Sequence, residues 1–125
     1  MIPKSILIVD DSDDFSLLVK NFIHREFPDC DISVAGNIAE AVELFSDHDF
    51  EIVVTDYLLG PELGSDIVHL CSGTSSSVMV LTGCAVDEVK ESLPNHVSVL
   101  NKFSSLQNGS FMEAIKEMAS QERAL

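Results

Sequence analysis

Short apolar runs alternate with amphipathic stretches along the whole chain. Ile6-Leu7-Ile8-Val9, Ile52-Val53-Val54, Val78-Met79-Val80-Leu81 and Val97-Ser98-Val99-Leu100 are compact and rich in β-branched residues. Ile32-Ser33-Val34-Ala35 is a fifth, weaker run. Apolarity that is continuous rather than alternating predicts strands buried on both faces, as in a parallel sheet.

The stretches between them carry helical spacing. Phe15, Leu18, Phe22 and Ile23 mark one apolar face, with Asp13 as its expected N-cap. Ile38, Ala41, Val42 and Phe45 mark a second, opened by Asn37 with Glu40 three residues later, a capping-box spacing. Leu63, Ile67 and Leu70 predict a third helix, and Val86, Val89 and Leu93 a short fourth that ends before Pro94. Phe111, Ile115 and Met118 predict the last; both Ser104 with Gln107 and Ser110 with Glu113 fit its start, and Asn108-Gly109 lies between them.

Five strand–helix units follow one another with no linker, repeat or low-complexity tract; the polar segment 72–77 is long enough only for a loop. Alternating βα units predict a parallel sheet with helices on both faces and right-handed crossovers. Residues 1–125 read as a single domain, with no effector domain expected after the fifth helix.

Composition narrows the function classes. Hydrophobic residues make up 46% and charged residues 22%, as in an ordinary folded domain. Asp and Glu outnumber Lys and Arg by 21 to 7, and the net charge of −14 repels nucleic-acid phosphates and anionic membranes. Direct binding to either is not expected. Cys30, Cys71 and Cys84 have no metal-ligand or CxxC spacing and are expected as buried, reduced thiols. With no signal-peptide pattern at Met1 and no apolar run of membrane length, the expectation is a soluble cytoplasmic protein.

The polar residues at the ends of the strands carry the chemistry. Asp10 and Asp11 follow the first strand, Asp56 the third, Thr82 ends the fourth, and Lys102 follows the fifth. In an open parallel sheet, ligands bind beyond the carboxyl ends of the strands, so four segments deliver these residues to one edge. Carboxylates brought together there need a cation, and an all-oxygen donor set suits Mg²⁺. One carboxylate can then act as nucleophile toward phosphorus, with Lys102 supplying charge and Thr82 a hydroxyl donor.

At these residues the sequence resembles the response-regulator receiver domain of two-component signalling. The resemblance runs from about Lys4 to Met118. It rests on Ile8-Val9-Asp10-Asp11-Ser12, Val53-Val54-Thr55-Asp56-Tyr57-Leu58, Gly64, Val80-Leu81-Thr82-Gly83 and Asn101-Lys102-Phe103. It implies a flavodoxin-like (βα)5, doubly wound five-stranded parallel sheet of order 2-1-3-4-5. It implies Asp56 as phospho-acceptor. Mg²⁺ would be held directly by Asp11 and Asp56, through water by Asp10, and by the Leu58 backbone carbonyl. Thr82 and Lys102 would contact the phosphoryl group. The implied donor is a phosphohistidine on a histidine kinase or histidine phosphotransfer protein, and the output is contact with a downstream protein target. Such a domain catalyses at most its own phosphorylation and autodephosphorylation.

Three features depart from that family's pattern. Phe103 stands where proline usually follows the lysine, so a trans bond or a reshaped loop is expected. Val99 stands where many receivers carry a switch aromatic, which removes the usual coupling of the threonine to a ring. Leu58 and Cys84, two residues beyond Asp56 and Thr82, are apolar and predict slow hydrolysis of the acyl phosphate.

Plainer readings stand beside these. Asp13 and Asp14 read as helix N-terminal carboxylates, and His24, His48, His69 and His96 as surface or half-buried side chains. Cys84 beside the site reads as a weak oxidation sensor at most, because acidic surroundings blunt a thiol. The Val86, Val89 and Leu93 face fits either core packing or a partner surface. A pseudo-receiver that docks without phospho-switching is one alternative function. A haloacid-dehalogenase-like phosphatase with Asp11 as nucleophile is another, but it leaves Asp56 without a role.

Overall fold

The computed structural model describes residues 3–83 and 85–120. The chain runs β1 (Ser5–Val9), α1 (Asp13–Glu26), β2 (Asp31–Ala35), α2 (Ile38–Asp47) and β3 (Ile52–Asp56). A two-residue pair, β4 (Leu58–Leu59) and β5 (Glu62–Leu63), then leads into α3 (Gly64–Cys71). It continues through β6 (Ser77–Thr82), α4 (Val86–Glu91), β7 (Ser98–Asn101), α5 (Ser104–Asn108) and α6 (Ser110–Ser120). The sheet is parallel, in the order β2-β1-β3-β6-β7, while β4 and β5 form a separate antiparallel ribbon. Numbering the sheet strands alone gives 2-1-3-4-5, the order the sequence resemblance implies.

Two apolar layers sandwich the sheet. Ile6 and Ile8 of β1, Ile52 and Val54 of β3, and Met79 and Leu81 of β6 pack against Phe15, Val19 and Ile23 of α1 and Phe111 and Ile115 of α6. Leu7, Val9, Val53, Val78, Val80 and Val99 face the other way, against Ala41 of α2, Ile67, Val68 and Cys71 of α3, and Val89 of α4. Both strand faces are covered, which is why these strands read as unbroken apolar runs. Each fully buried aliphatic side chain contributes roughly 1.5–3 kcal/mol relative to exposure. The weaker run, β2, lies at the sheet edge, where Val34 is exposed.

Several local expectations need correction. Ser12, not Asp13, caps α1: its Oγ accepts from the Phe15 N–H at 3.3 Å, and Asp13 is the first helical residue. The buried stripe of α1 is Phe15, Ser16, Val19 and Ile23, so Leu18 faces solvent. Phe15, Val19 and Ile23 recur every four residues, and Leu18 falls just off that row. On α2, Val42 is likewise exposed while Leu44 packs toward the core. On α3 the buried residues are Gly64, Ile67, Val68 and Cys71, leaving Leu63 exposed and Leu70 half-buried.

The α2 cap keeps one half of its predicted box. Asn37 Oδ1 accepts from the Glu40 N–H at 2.8 Å, but Glu40 Oε1 reaches back to the Gly36 N–H at 2.6 Å, one residue earlier than the motif prescribes. The last helical region starts at both Ser104 and Ser110, but as first helical residues rather than as the caps of a capping box, and Phe103 precedes α5 with no side-chain cap bond. Gly109, at φ +85°, ends α5 in the left-handed conformation that glycine takes most readily, and α6 restarts at Ser110. Val89 and Leu93 are buried in the α4-side layer and Val86 packs against it, so that face is core packing. No helix among the described residues is long and apolar enough to cross a membrane.

Candidate functional site

The sheet reverses direction of growth between β1 and β3, since β2 lies to one side of β1 and β3 to the other. Their carboxyl ends part there and leave a crevice. Hydrogen bonds continue the parallel ladders one residue past three strand ends. Asp10 N–H donates to Ala35 O at 3.0 Å, Tyr57 N–H to Leu81 O at 2.9 Å, and Lys102 N–H to Thr82 O at 2.8 Å. The backbones that present Asp10, Asp56 and Lys102 are therefore fixed by the neighbouring strands.

The side chains converge. Carboxylate oxygens of Asp10, Asp11 and Asp56 lie within 4.8 Å of one another. Lys102 Nζ donates to Asp56 Oδ2 at 2.7 Å and pairs with Asp10 Oδ2 at 3.0 Å. Asp10 and Asp56 are 2% and 8% exposed, whereas Asp11 faces solvent. Asp10 Oδ1 accepts from the Ser12 N–H at 2.8 Å, and the Leu58 N–H points at Asp56 Oδ1 at 3.4 Å.

Burial pushes the Asp10 carboxyl above its ordinary 3.8, and nearby Asp56 adds to that rise against the lowering effects of the Ser12 N–H and Lys102. Burial also works against the Lys102 charge, but Asp56 and Asp10 outweigh it and hold the ammonium above its ordinary 10.5. Two nearly buried carboxylates thus share one cationic side chain, and a third carboxylate stands at the solvent side. Three hard oxygen donors at this spacing fit a divalent cation such as Mg²⁺. A carboxylate with a lysine 2.7 Å away is also placed to bond to an incoming phosphorus while the lysine meets the phosphoryl oxygens.

Gly64 sits immediately against this carboxylate's backbone. A Cβ built on it would overlap the Asp56 carbonyl oxygen and lie 3.0 Å from Tyr57 Cα. The ribbon of β4 and β5 turns through Gly60 at φ +69°, near enough that a Cβ there would meet Asp11 Oδ2 at 3.8 Å. Leu58 stands on this ribbon with its side chain 48% exposed, at the rim of the site.

Thr82 ends β6 beside Asp56, whose register partner is Leu81, and is 1% exposed. The five residues singled out for chemistry, Asp10, Asp11, Asp56, Thr82 and Lys102, all reach the same end of the sheet. No cis peptide bond is present among the described residues, so Lys102–Phe103 is trans, as expected, and Lys102 still reaches Asp56. Val99 is buried in the α4-side layer. Cys84 lies outside the described residues; Cys30 and Cys71 are buried free thiols that burial pushes up to about 11 and about 12.

Two contributors went unread in the sequence. Phe15, taken only as a core residue of α1, places its ring centroid 4.3 Å from Lys102 Nζ. Asn101 holds the turn after β7: its Oδ1 accepts from the Phe103 N–H at 3.0 Å and the Ser104 N–H at 2.9 Å. An Asn two and three residues before donated N–H groups is a turn-and-cap signal, and it was there to be found.

No protein-family model and no curated protein matches the sequence. Solved structures do match. The signal receiver domain of a DNA-binding response regulator from Colwellia psychrerythraea 34H superposes with a TM-score of 0.80 at 23% identity, covering 94% of this chain and 99% of that one. A response regulator from Thermotoga maritima, solved in complex with Mg²⁺-BeF, gives 0.73 at 21% identity over 92% and 98%. A CheY-like receiver domain from Methylobacillus flagellatus gives 0.74 at 15% identity over 93% and 98%. The strand order agrees with these likenesses, and over nearly its whole length the chain has the fold of the response-regulator receiver domains.

Proposed function

We propose that the chain is a phospho-acceptor in a two-component or phosphorelay pathway, with Asp56 taking the phosphoryl group in the presence of Mg²⁺. The observation that carries this reading is the bridge from Lys102 Nζ to Asp56 at 2.7 Å and Asp10 at 3.0 Å, inside a cluster of three carboxylates. Asp11 and Asp56 would hold the cation directly, Asp10 through water, and Leu58 by its backbone carbonyl. Bound there, Mg²⁺ would offset the charge of the carboxylates and of the phosphoryl oxygens.

The donor is a phosphohistidine of a histidine kinase or histidine phosphotransfer protein. An Asp56 carboxylate oxygen forms a bond to phosphorus as the P–N bond to the imidazole breaks. The bonding electrons return to the imidazole nitrogen, which takes up a proton from water. Lys102 follows the phosphoryl oxygens with its charge, and Thr82 donates its hydroxyl to another of them. The chain then catalyses no reaction beyond its own phosphorylation and dephosphorylation, and it signals in the cytoplasm by contact with a protein target.

The test is phosphoryl transfer from a phosphorylated histidine phosphotransfer protein, with Mg²⁺, to wild type and Asp56→Asn. Stoichiometric, Asp56-dependent labelling is expected. Full labelling of Asp56→Asn sinks the assignment, and repeated turnover of a generic phosphomonoester points instead to a phosphatase. Val99 in the core, where a switch aromatic would stand, favours a second reading as a docking module. Unchanged spectra on adding Mg²⁺ and beryllofluoride would support that reading.

A further inference from the structure

Lys102 is not followed by proline, so no ring in the main chain stiffens the loop that carries it. Aromatic packing occupies that place instead. The Lys102 side chain is only 13% exposed, and its ammonium lies 4.3 Å from the centroid of Phe15. A cation over an aromatic face is attracted by the ring quadrupole, more strongly the less water surrounds it. Phe103 meets Phe15 edge to face, with centroids 6.0 Å apart and planes at 80°. Phe103 also approaches the chain just past Thr82, where a Cβ built on Gly83 would lie 3.6 Å from its Cε2.

Phe103 is nevertheless 60% exposed, so burial of its own surface does not account for its position. What it does touch is the ring that faces the lysine. An edge-to-face neighbour restricts the orientation of the ring it abuts, and the orientation of Phe15 determines where a cation is best held. We propose that Phe103 is a positioning residue for phosphoryl transfer: it braces Phe15, whose ring holds the Lys102 ammonium toward Asp56. Asn101 completes the arrangement by fixing the Phe103 N–H, a bond that proline at this position lacks the hydrogen to make. The inference rests on the phospho-acceptor reading of Asp56.

The experiment uses the whole chain and two readouts. Without metal, side-chain NMR follows the Lys102 Hε signals. In wild type the Phe15 ring current shifts them upfield of the other lysines, Phe15→Leu abolishes the shift, and Phe103→Ala reduces it. Phe103→Leu, which keeps bulk without a ring, reduces it as well, and Phe103→Tyr restores it. With acetyl phosphate and Mg²⁺, the rate of Asp56 labelling falls about three- to tenfold in Phe103→Ala, in line with the loss of one aromatic contact and a loosened cation–ring contact. Phe103→Tyr labels at the wild-type rate.

Wild-type Lys102 shifts in folded Phe103→Ala and Phe103→Leu overturn the brace, as does undiminished labelling. Wild type that takes no label, with the shifts behaving as expected, overturns the acceptor reading and the role in transfer while leaving the aromatic contact in place.

Discussion

Gly64 lies so close to Asp56 that any side chain on it would overlap the Asp56 carbonyl oxygen. Its N–H donates to Tyr57 O at 2.6 Å, so the start of α3 is tied to the strand end that presents Asp56. Neighbouring atoms here are backbone and cannot swing aside as a flexible side chain would. Gly64→Ala is expected to destabilise the fold by about 1–3 kcal/mol through overpacking. Because the strain falls on Asp56, Mg²⁺-dependent labelling should fall with it. Denaturant unfolding and acetyl phosphate labelling check this, and a variant matching wild type in both would show that the loop has slack.

Asp10 predicts a pH-dependent cost. Its carboxyl titrates above 3.8 in the fold, chiefly because it is buried, so the folded chain holds that proton more tightly than the unfolded chain. Stability contributed by this group therefore falls as pH rises from 3.8 through the raised value, and the full cost is present at neutral pH. Metal-free Asp10→Asn should be more stable than wild type at pH 7, with the difference shrinking toward pH 4. Mg²⁺ reverses the order, since a ligand bound only by the folded form adds about 2.7 kcal/mol at a hundredfold excess over its Kd. Urea midpoints with and without Mg²⁺ measure both effects; a wild-type midpoint that ignores Mg²⁺ would count against the cation site.

If Asp56 takes a phosphoryl group as proposed, Leu58 is expected to set the access of water to it. Its N–H points at Asp56 and its side chain stands half-exposed at the rim. An apolar chain there offers an attacking water no hydrogen bond, so the acyl phosphate should persist. Leu58→Asn is expected to hasten its hydrolysis about tenfold, a barrier change of about 1.4 kcal/mol. Decay of the label in Mg²⁺ buffer gives the comparison, and equal half-lives would remove Leu58 from the account.

Asn101 carries two backbone donors at the start of α5. Asn101→Ala leaves both without that partner and should cost about 1 kcal/mol, the usual net value of a hydrogen bond. Thermal unfolding monitors the loss. Asn101→Asp, which keeps the acceptor oxygen, should recover most of it.

The sheet was legible because its strands are buried on both faces, which forces unbroken apolar runs such as Ile6 to Val9. The site was legible because each of its residues lies within two positions of the end of such a run. Helix faces were harder. Leu18 and Val42 are apolar yet exposed, and a single misplaced residue shifts a stripe by 100°. The capping residue of α1 was misread because Ser12, Asp13 and Asp14 are all good caps and only the backbone decides among them. Phe15 could not be paired with Lys102 from sequence at all, since 87 positions separate them (102 less 15) and only folding brings them together.

The ladder bonds of Asp10, Tyr57 and Lys102 bear on how the site comes apart. Tyr57 bonds between the interior strands β3 and β6, whereas the Asp10 amide bonds to the edge strand β2 and the Lys102 amide follows the edge strand β7. Hydrogen–deuterium exchange at Tyr57 should track the slowest, whole-sheet opening, and exchange at Asp10 and Lys102 the earlier loss of an edge strand. Asp56, at the end of an interior strand, then lies among the last residues to lose its place when the chain unfolds, after Lys102 has left with the edge.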